Sequence, residues 1–236
     1  VYKRQLFAGF VGGYLVLGLK KIFDKLPQAL EGLKPTLLYP LIGIGLMGAI
    51  MIFVNPFFGG INEAITHFLN SMGGTSKVLL GIVVAGMMSI DMGGPFNKAA
   101  YVFGTASLAS GNYEVMAAVM AGGMVPPLAI ALASTFFKNK FTKRERQSAL
   151  TNYIMGLSFI TEGAIPFAAA DPLRVIPSCV IGSATAGALT MFFDCQLRAP
   201  HGGIFVLPVI GNPFGFLAAV VIGSVVGMAM LAAVSY

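Results

Sequence analysis

The chain has no tryptophan, only two histidines and two cysteines, and few charges: Asp, Glu, Lys and Arg together make up 10% of its 236 residues. A soluble domain carries about 25% charged residues, so a water-facing globule is excluded. The 56% hydrophobic content and the mean hydropathy of +0.83 point instead to an integral membrane protein. Without tryptophan, seven tyrosines and nineteen phenylalanines must supply packing and interfacial anchors. Cys179 and Cys195 form no CxxC pair and no metal-ligand spacing. Both flank apolar segments, so they read as neutral buried thiols rather than as a disulfide or a phosphoryl carrier. There is no Gly-x-x-x-x-Gly-Lys-Ser/Thr phosphate loop, no metal-ligand cluster and no Ser/His/Asp spacing. ATP hydrolysis is therefore excluded, and no metal or other cofactor is expected. Driving energy must come from an ion gradient or a phosphorylated partner.

The net charge of +6 is not a nucleic-acid footprint, because nine of the fifteen basic residues fall in two loops. The first holds Lys20, Lys21, Lys25 and Lys34; the second holds Lys138, Lys140, Lys143, Arg144 and Arg146. The positive-inside rule places both loops in the cytoplasm, with Lys3 and Arg4 as a minor exception toward the other face. The second loop can also meet anionic lipid or an acidic partner.

Uncharged runs of roughly 17–25 residues can cross a bilayer as helices. They lie at Thr36–Val54, Val115–Phe137, Val175–Phe193 and Phe214–Val234, with a shorter one at Gln5–Leu19. No signal-peptide region or initiator methionine precedes the first, and the chain reads as the later part of a longer membrane domain. Between Asn55 and Lys77, apolar residues at Ile61, Ile65, Phe68 and Leu69 predict a short amphipathic helix at the outer surface, carrying Glu63 and an exposed His67. Pro126-Pro127 should kink the Val115–Phe137 span.

Three polar breaks interrupt the apolar pattern. Asp91-Met92-Gly93-Gly94-Pro95-Phe96-Asn97-Lys98 separates two pieces, Val78–Ile90 and Ala99–Ser110, too short to span, which predicts a re-entrant element. Glu162 lies in Ser158–Arg174, a stretch with glycine and proline between membrane-like segments. A carboxylate there is costly unless it faces a wet, protein-lined cavity. Irregular backbone at that depth survives only where it lines a site. Whether Gln147–Phe193 is a re-entrant hairpin or two crossings is open at this point. The third break is Arg198-Ala199-Pro200-His201-Gly202-Gly203.

Each polar group has a structural alternative. Asp91 and Lys98 can pair with each other, or the break can line a sugar site through Asn97, Gly94 and Lys98, since an amide both donates and accepts as a hydroxyl does. Glu162 can cap a half-helix or pair with Arg174, or it can accept sugar hydroxyls and act as a base within about 2.6–3.2 Å of the attacked one. Asp171 and Arg174 read as a pair that fixes a loop. His201 is either a satisfied loop residue or a sugar and proton-transfer ligand. Arg198 can counter a phosphoryl group or sit near Asp194.

Asp91 through Tyr101, Ser158 through Arg174 with its Ile160-Thr161-Glu162, and Arg198 through Ile204 resemble, in order, the motifs of the fructose-specific enzyme IIC of the bacterial phosphoenolpyruvate-dependent sugar phosphotransferase system. Glu31-Gly32-Leu33-Lys34-Pro35 fits the same pattern. The resemblance implies an all-α, polytopic permease with broken or re-entrant helices, lacking the first helices of that family, in the bacterial inner membrane. It also implies a homodimer that binds a sugar, fructose by the resemblance, and presents it to a phosphocysteine on a IIB domain. The Ile-Thr-Glu glutamate maps onto Glu162 and the Pro-His-Gly-Gly histidine onto His201, as sugar ligands with catalytic roles. Substrate contacts from Asp91, Gly94, Asn97, Lys98 and Thr161 are expected beside them. Lys143, Arg144 and Arg146 are the expected dock for the donor domain. The expected division is 1–54 as scaffold and dimerisation part, 55–77 as outer amphipathic segment, and 78–236 as transport part. Alternatives are an ion-gradient-driven carrier and the same system acting on mannosylglycerate.

Overall fold

The computed structural model describes residues 2–24, 27, 31, 33–71 and 77–234, with side chains described from residue 9 onward except at 36, 55, 57–59 and 61–71. Its packing divides into two compact units, Val1–Ile65 and Thr66–Tyr236. In the first unit, α1 (Tyr2–Phe23) and the start of α2 (Tyr39–Ser71) run antiparallel. The Phe23 and Tyr39 rings lie 5.8 Å apart, Leu19 meets Gly43, and Met47 meets Gly12. One turn of π-helix, Lys34–Leu38, leads into α2.

Where the sequence pattern ends a span at Val54 and starts a separate amphipathic helix, the structure has one helix of 33 residues that carries Pro56 inside it. Proline removes one backbone donor but does not by itself end a membrane helix. The side chains of Glu63 and His67, on which the amphipathic expectation rests, lie outside the described residues.

The second unit is built on three helices long and apolar enough to cross a membrane: α5 (Glu114–Phe136), α8 (Pro172–Phe192) and α9 (Pro213–Val234). Glycines let them approach closely: a Cβ on Gly182 would lie 2.6 Å from the Gly223 carbonyl oxygen, and one on Gly227 would lie 3.0 Å from the Ala129 Cβ. Small residues take this role in membrane helix packing because apolar lipid gives little drive for association. Pro126 and Pro127 sit inside α5, and the helix continues unbroken through them.

Three shorter elements enter this frame without crossing it. α3 (Lys77–Ile90) and α4 (Pro95–Ala109) form a hairpin whose tip is Asp91–Gly94. Helix α4 thus begins at Pro95, four residues before the expected Ala99; Pro95 at the first helical position needs no hydrogen-bond partner. α6 (Lys143–Leu157) opens with a capping box between Thr142 and Glu145 and ends at Ser158. A 3-10 turn (Thr161–Ala164) and α7 (Ile165–Ala170) follow. Phe167 and Val175 pack with Ile130 and Ala133 of α5, Ala149 of α6 and Leu231 of α9. The chain therefore returns to the level where α6 began, and Gln147–Phe193 is a re-entrant hairpin followed by one crossing. The third element leaves α8, pairs Gln196 and Leu197 (β1) with Gly211 and Ile210 (β2), and dips inward between them. Apart from this two-residue ladder the described residues are helical or irregular, as the all-α expectation requires.

One end of the unit is marked by Lys77, which pairs with Asp194 and lies 3.8 Å from Glu114. At the other end the Lys140 ammonium donates to the Ala232 carbonyl at 2.7 Å, and Lys138 and Lys143 lie nearby in the chain. The charge bias makes this basic end cytoplasmic.

Candidate functional site

The tips of the three re-entrant elements meet at the depth of Gly122 and Gly123, near the middle of α5. Pro126 and Pro127 lack the N–H groups that would bond the carbonyls of these two glycines, four residues back. The structure supplies both donors from neighbouring elements. The Ser183 hydroxyl donates to the Gly122 oxygen at 2.8 Å, and the Thr161 hydroxyl donates to the Gly123 oxygen at 2.9 Å. Ser89 of α3 hydrogen-bonds Ser183 in turn. Backbone groups freed inside a bilayer must find such partners. Here the Thr161 bond fastens the α6–α7 break to α5, and the Ser183 bond joins α8 to it.

The first tip is held by its own polar residues. The two Asp91 carboxylate oxygens accept from the backbone N–H of Phe96 (2.7 Å) and Asn97 (2.9 Å), satisfying the opening turn of α4. The buried Asn97 amide donates to the Met88 carbonyl at 2.8 Å, serving the end of α3. Gly93 has φ +112°, a conformation that disfavours any side chain, and a Cβ there would sit 3.0 Å from Glu162 Oε1. At the third tip Gly203 (φ +59°) leaves no space for a Cβ, which would fall 2.1 Å from the Leu157 carbonyl oxygen. That close approach sets the His201 ring 5.0 Å from the Phe159 ring, and Phe159 lies 6.3 Å from Tyr101.

These contacts enclose a cavity of about 200 Å³ lined by Met88, Asn97, Lys98, Tyr101, Phe159, Thr161, Glu162 and His201. It is aromatic on one wall and polar on the other, the mixed lining of a small-solute site. Lys98 Nζ lies 3.5 Å from Glu162 Oε1, joining the first and second tips; the two side chains are 38% and 46% exposed. Such a half-exposed pair contributes about 0–1 kcal/mol, so a ligand hydroxyl can replace one partner at low cost.

Of the residues the sequence singles out, Glu162, His201, Asn97, Lys98 and Thr161 line this one cavity. Asp91 and Gly94 do not: Asp91 is occupied as a helix cap, and Gly94 abuts its carboxylate. Lys98 lies against Glu162, and Arg174 bonds Asp171 at 3.2 Å, as its spacing suggests. Arg198 lies over the Tyr113 ring, 5.2 Å from its centre, while Asp194 pairs with Lys77. Lys143 and Arg146 line a second, larger cavity at the basic end, and Arg144 does not. Both cysteines are buried and free. Burial pushes the Cys195 thiol up to about 11, with Asp194 adding to the effect. Sequence reasoning missed Tyr101, Phe159, Met88 and Ser183; only the position of Tyr101 four residues after Asn97, on one α4 face, signals any of them.

Re-entrant tips that meet in a polar, mid-bilayer cavity between spanning helices define a multi-pass membrane transport protein. The family described as "Phosphotransferase system, EIIC" matches residues 2–182, and the chain belongs to that family. It is 55% identical to the fructose permease IIC component of Bacillus amyloliquefaciens, over 96% of this chain and 77% of that protein. It is 55% identical to the PTS system fructose-specific EIIABC component of Bacillus subtilis (strain 168), over 94% of this chain and 36% of that protein. With the PTS system fructose-specific EIIB'BC component of Escherichia coli (strain K12) the identity is 48%, over 86% of this chain and 37% of that protein. The chain thus spans little more than a third of the multi-component relatives it matches. No solved structure matches significantly. As an EIIC protein with several apolar helices, it is a multi-pass inner-membrane protein and a permease subunit of a phosphotransferase system.

Proposed function

We propose that this chain binds fructose in the cavity between the three tips and presents it for phosphorylation by a phosphorylated IIB domain. The supporting observation is the convergence of Glu162, His201, Asn97, Lys98 and Thr161, from three separate breaks, on one cavity of about 200 Å³. In this reading the Glu162 carboxylate accepts sugar hydroxyls, exchanging part of its contact with Lys98 for them. One N–H of the Asn97 amide bonds the Met88 carbonyl, which orients the amide so that its carbonyl oxygen can accept from a hydroxyl. Phe159 and Tyr101 offer apolar faces to the ring C–H groups.

Phosphoryl transfer is mostly positioning and charge stabilisation. The sugar oxygen attacks phosphorus, the new O–P bond forms as the cysteine S–P bond of the donor breaks, and the thiolate leaves with the donor. The hydroxyl proton passes to the carboxylate of Glu162 or the imidazole of His201, while Lys98 counters phosphoryl charge. The relatives named EIIABC and EIIB'BC carry B components, which supports such a donor as partner. The donor approaches from the basic, cytoplasmic end. Residues 1–54 act as scaffold and dimerisation part, and residues 78–236 carry the sugar.

The test is equilibrium binding of labelled fructose to the purified protein, followed by product analysis with phosphorylated donor. Saturable fructose binding and release of a fructose phosphate are expected. Release of unmodified sugar that stops with an uncoupler would replace this reading with a gradient-driven carrier.

A further inference from the structure

The second cavity, of about 440 Å³, lies at the basic end between the last turn of α5 and the first turns of α6. Lys138, Lys143, Arg146 and Gln147 contribute donors to it, and Leu150 adds an apolar side chain to its lining. Among the described residues none of these three cations is paired with a carboxylate. The nearest acid along the chain, Glu145, is committed to its cap: one of its oxygens accepts from the Thr142 N–H and hydroxyl, both at 2.8 Å. From Leu150 an apolar stripe continues along α6 at helical spacing through Ile154 to Leu157, exposed by 59%, 72% and 37%, and Phe136 of α5 is 68% exposed beside the cavity's end of that helix.

We infer that this cavity binds the phosphodiester headgroup of an anionic phospholipid, with an acyl chain along the Leu150–Leu157 stripe. A guanidinium and two ammonium groups around a hollow match a phosphate, and Arg146 can engage two of its oxygens. The hollow sits where the cytoplasmic leaflet places its headgroups, and that leaflet is the anionic one. The apolar stripe begins at the hollow and leads toward the bilayer centre. A free inorganic anion has no use for that stripe, and a water-soluble partner cannot reach it, so the combination favours lipid. The site is distinct from the cavity of Glu162 and His201 and does not depend on the proposed sugar.

The intact protein in detergent, exchanged into phosphatidylcholine with or without phosphatidylglycerol, is read by native mass spectrometry for retained lipid. Wild type should retain phosphatidylglycerol in preference to phosphatidylcholine. The variant Lys143→Gln/Arg146→Gln should reduce that retention on the order of 10- to 100-fold. Lys20→Gln/Lys21→Gln, which removes the same charge from α1, should not. Should the cavity variant fail to fold, wild type alone still decides: phosphatidylglycerol should raise its Tm and inorganic phosphate should neither do so nor displace the lipid. Equal retention of both lipids, unchanged retention in the cavity variant, or displacement by inorganic phosphate overturns the inference. So does a variant that loses phosphorylated-donor binding while keeping its lipid, which would make the cavity a protein dock.

Discussion

Thr161→Val removes one hydroxyl and keeps the side-chain shape, so it isolates the bond to the Gly123 carbonyl (2.9 Å). That carbonyl has no replacement donor within α5, because residue 127 is proline. Leaving a buried acceptor unsatisfied costs about 1–3 kcal/mol. Thr161 is 3% exposed, so little water reaches the bond in the folded state. Thr161→Val should therefore lower unfolding free energy by about 1–3 kcal/mol, and loosening of the α6–α7 break should weaken fructose binding as well. The mechanism predicts a specific rescue. Pro127→Ala restores the N–H that reaches the Gly123 oxygen, so Thr161→Val in that background should cost about 1 kcal/mol less than in wild type. Denaturant unfolding of the four proteins in one detergent measures the cycle. An equal cost of Thr161→Val in both backgrounds would refute the idea that this hydroxyl stands in for the donor that proline lacks.

Other expectations follow from the same geometry. Glu162→Gln keeps shape and loses charge; fructose affinity should fall roughly 10- to 150-fold, the loss of one or more charge-assisted hydrogen bonds, while size-exclusion behaviour stays unchanged. Gly93→Ala combines φ +112° with a Cβ 3.0 Å from Glu162 Oε1, so equilibrium binding should weaken more than thermal stability does; normal affinity would show that the glycine is not shaping the site. Cys195 is fully buried and its thiol is pushed up to about 11, so at pH 8 only about 0.1% is thiolate. Alkylation followed by mass spectrometry should label it after denaturation and scarcely before, with the rate rising as pH approaches the raised value.

The breaks were readable because membrane physics penalises them: Glu162, Asp91–Lys98 and His201–Gly203 have no place in a plain apolar span. Re-entrance of Gln147–Phe193 was not readable by counting residues, since α7 and α8 together are long enough for either path. It is settled by Phe167 and Val175 returning to Ala149 and Leu231. Asp91 looked like a ligand because an acid beside Gly-Gly suits either a cap or a site, and only the distances to Phe96 and Asn97 decide for the cap. The Lys98–Glu162 pair joins residues 64 positions apart, beyond any local pattern. Proline in α5 signalled a kink; that the proline-freed carbonyls also recruit Thr161 and Ser183 depends on tertiary contact and leaves no local signal. Helix α2 continuing through Pro56 shows the same limit, since a proline weakens one bond without stating whether neighbours sustain the helix.

The central claim is that three breaks, far apart in sequence, hold one sugar. A photoreactive fructose analogue, cross-linked to the purified protein and mapped by peptide mass spectrometry with excess fructose as competitor, tests it most directly. The account predicts competable label in the peptides containing Met88–Tyr101, Phe159–Glu162 and His201. Competable label confined to α9 or to residues 9–24 would contradict it.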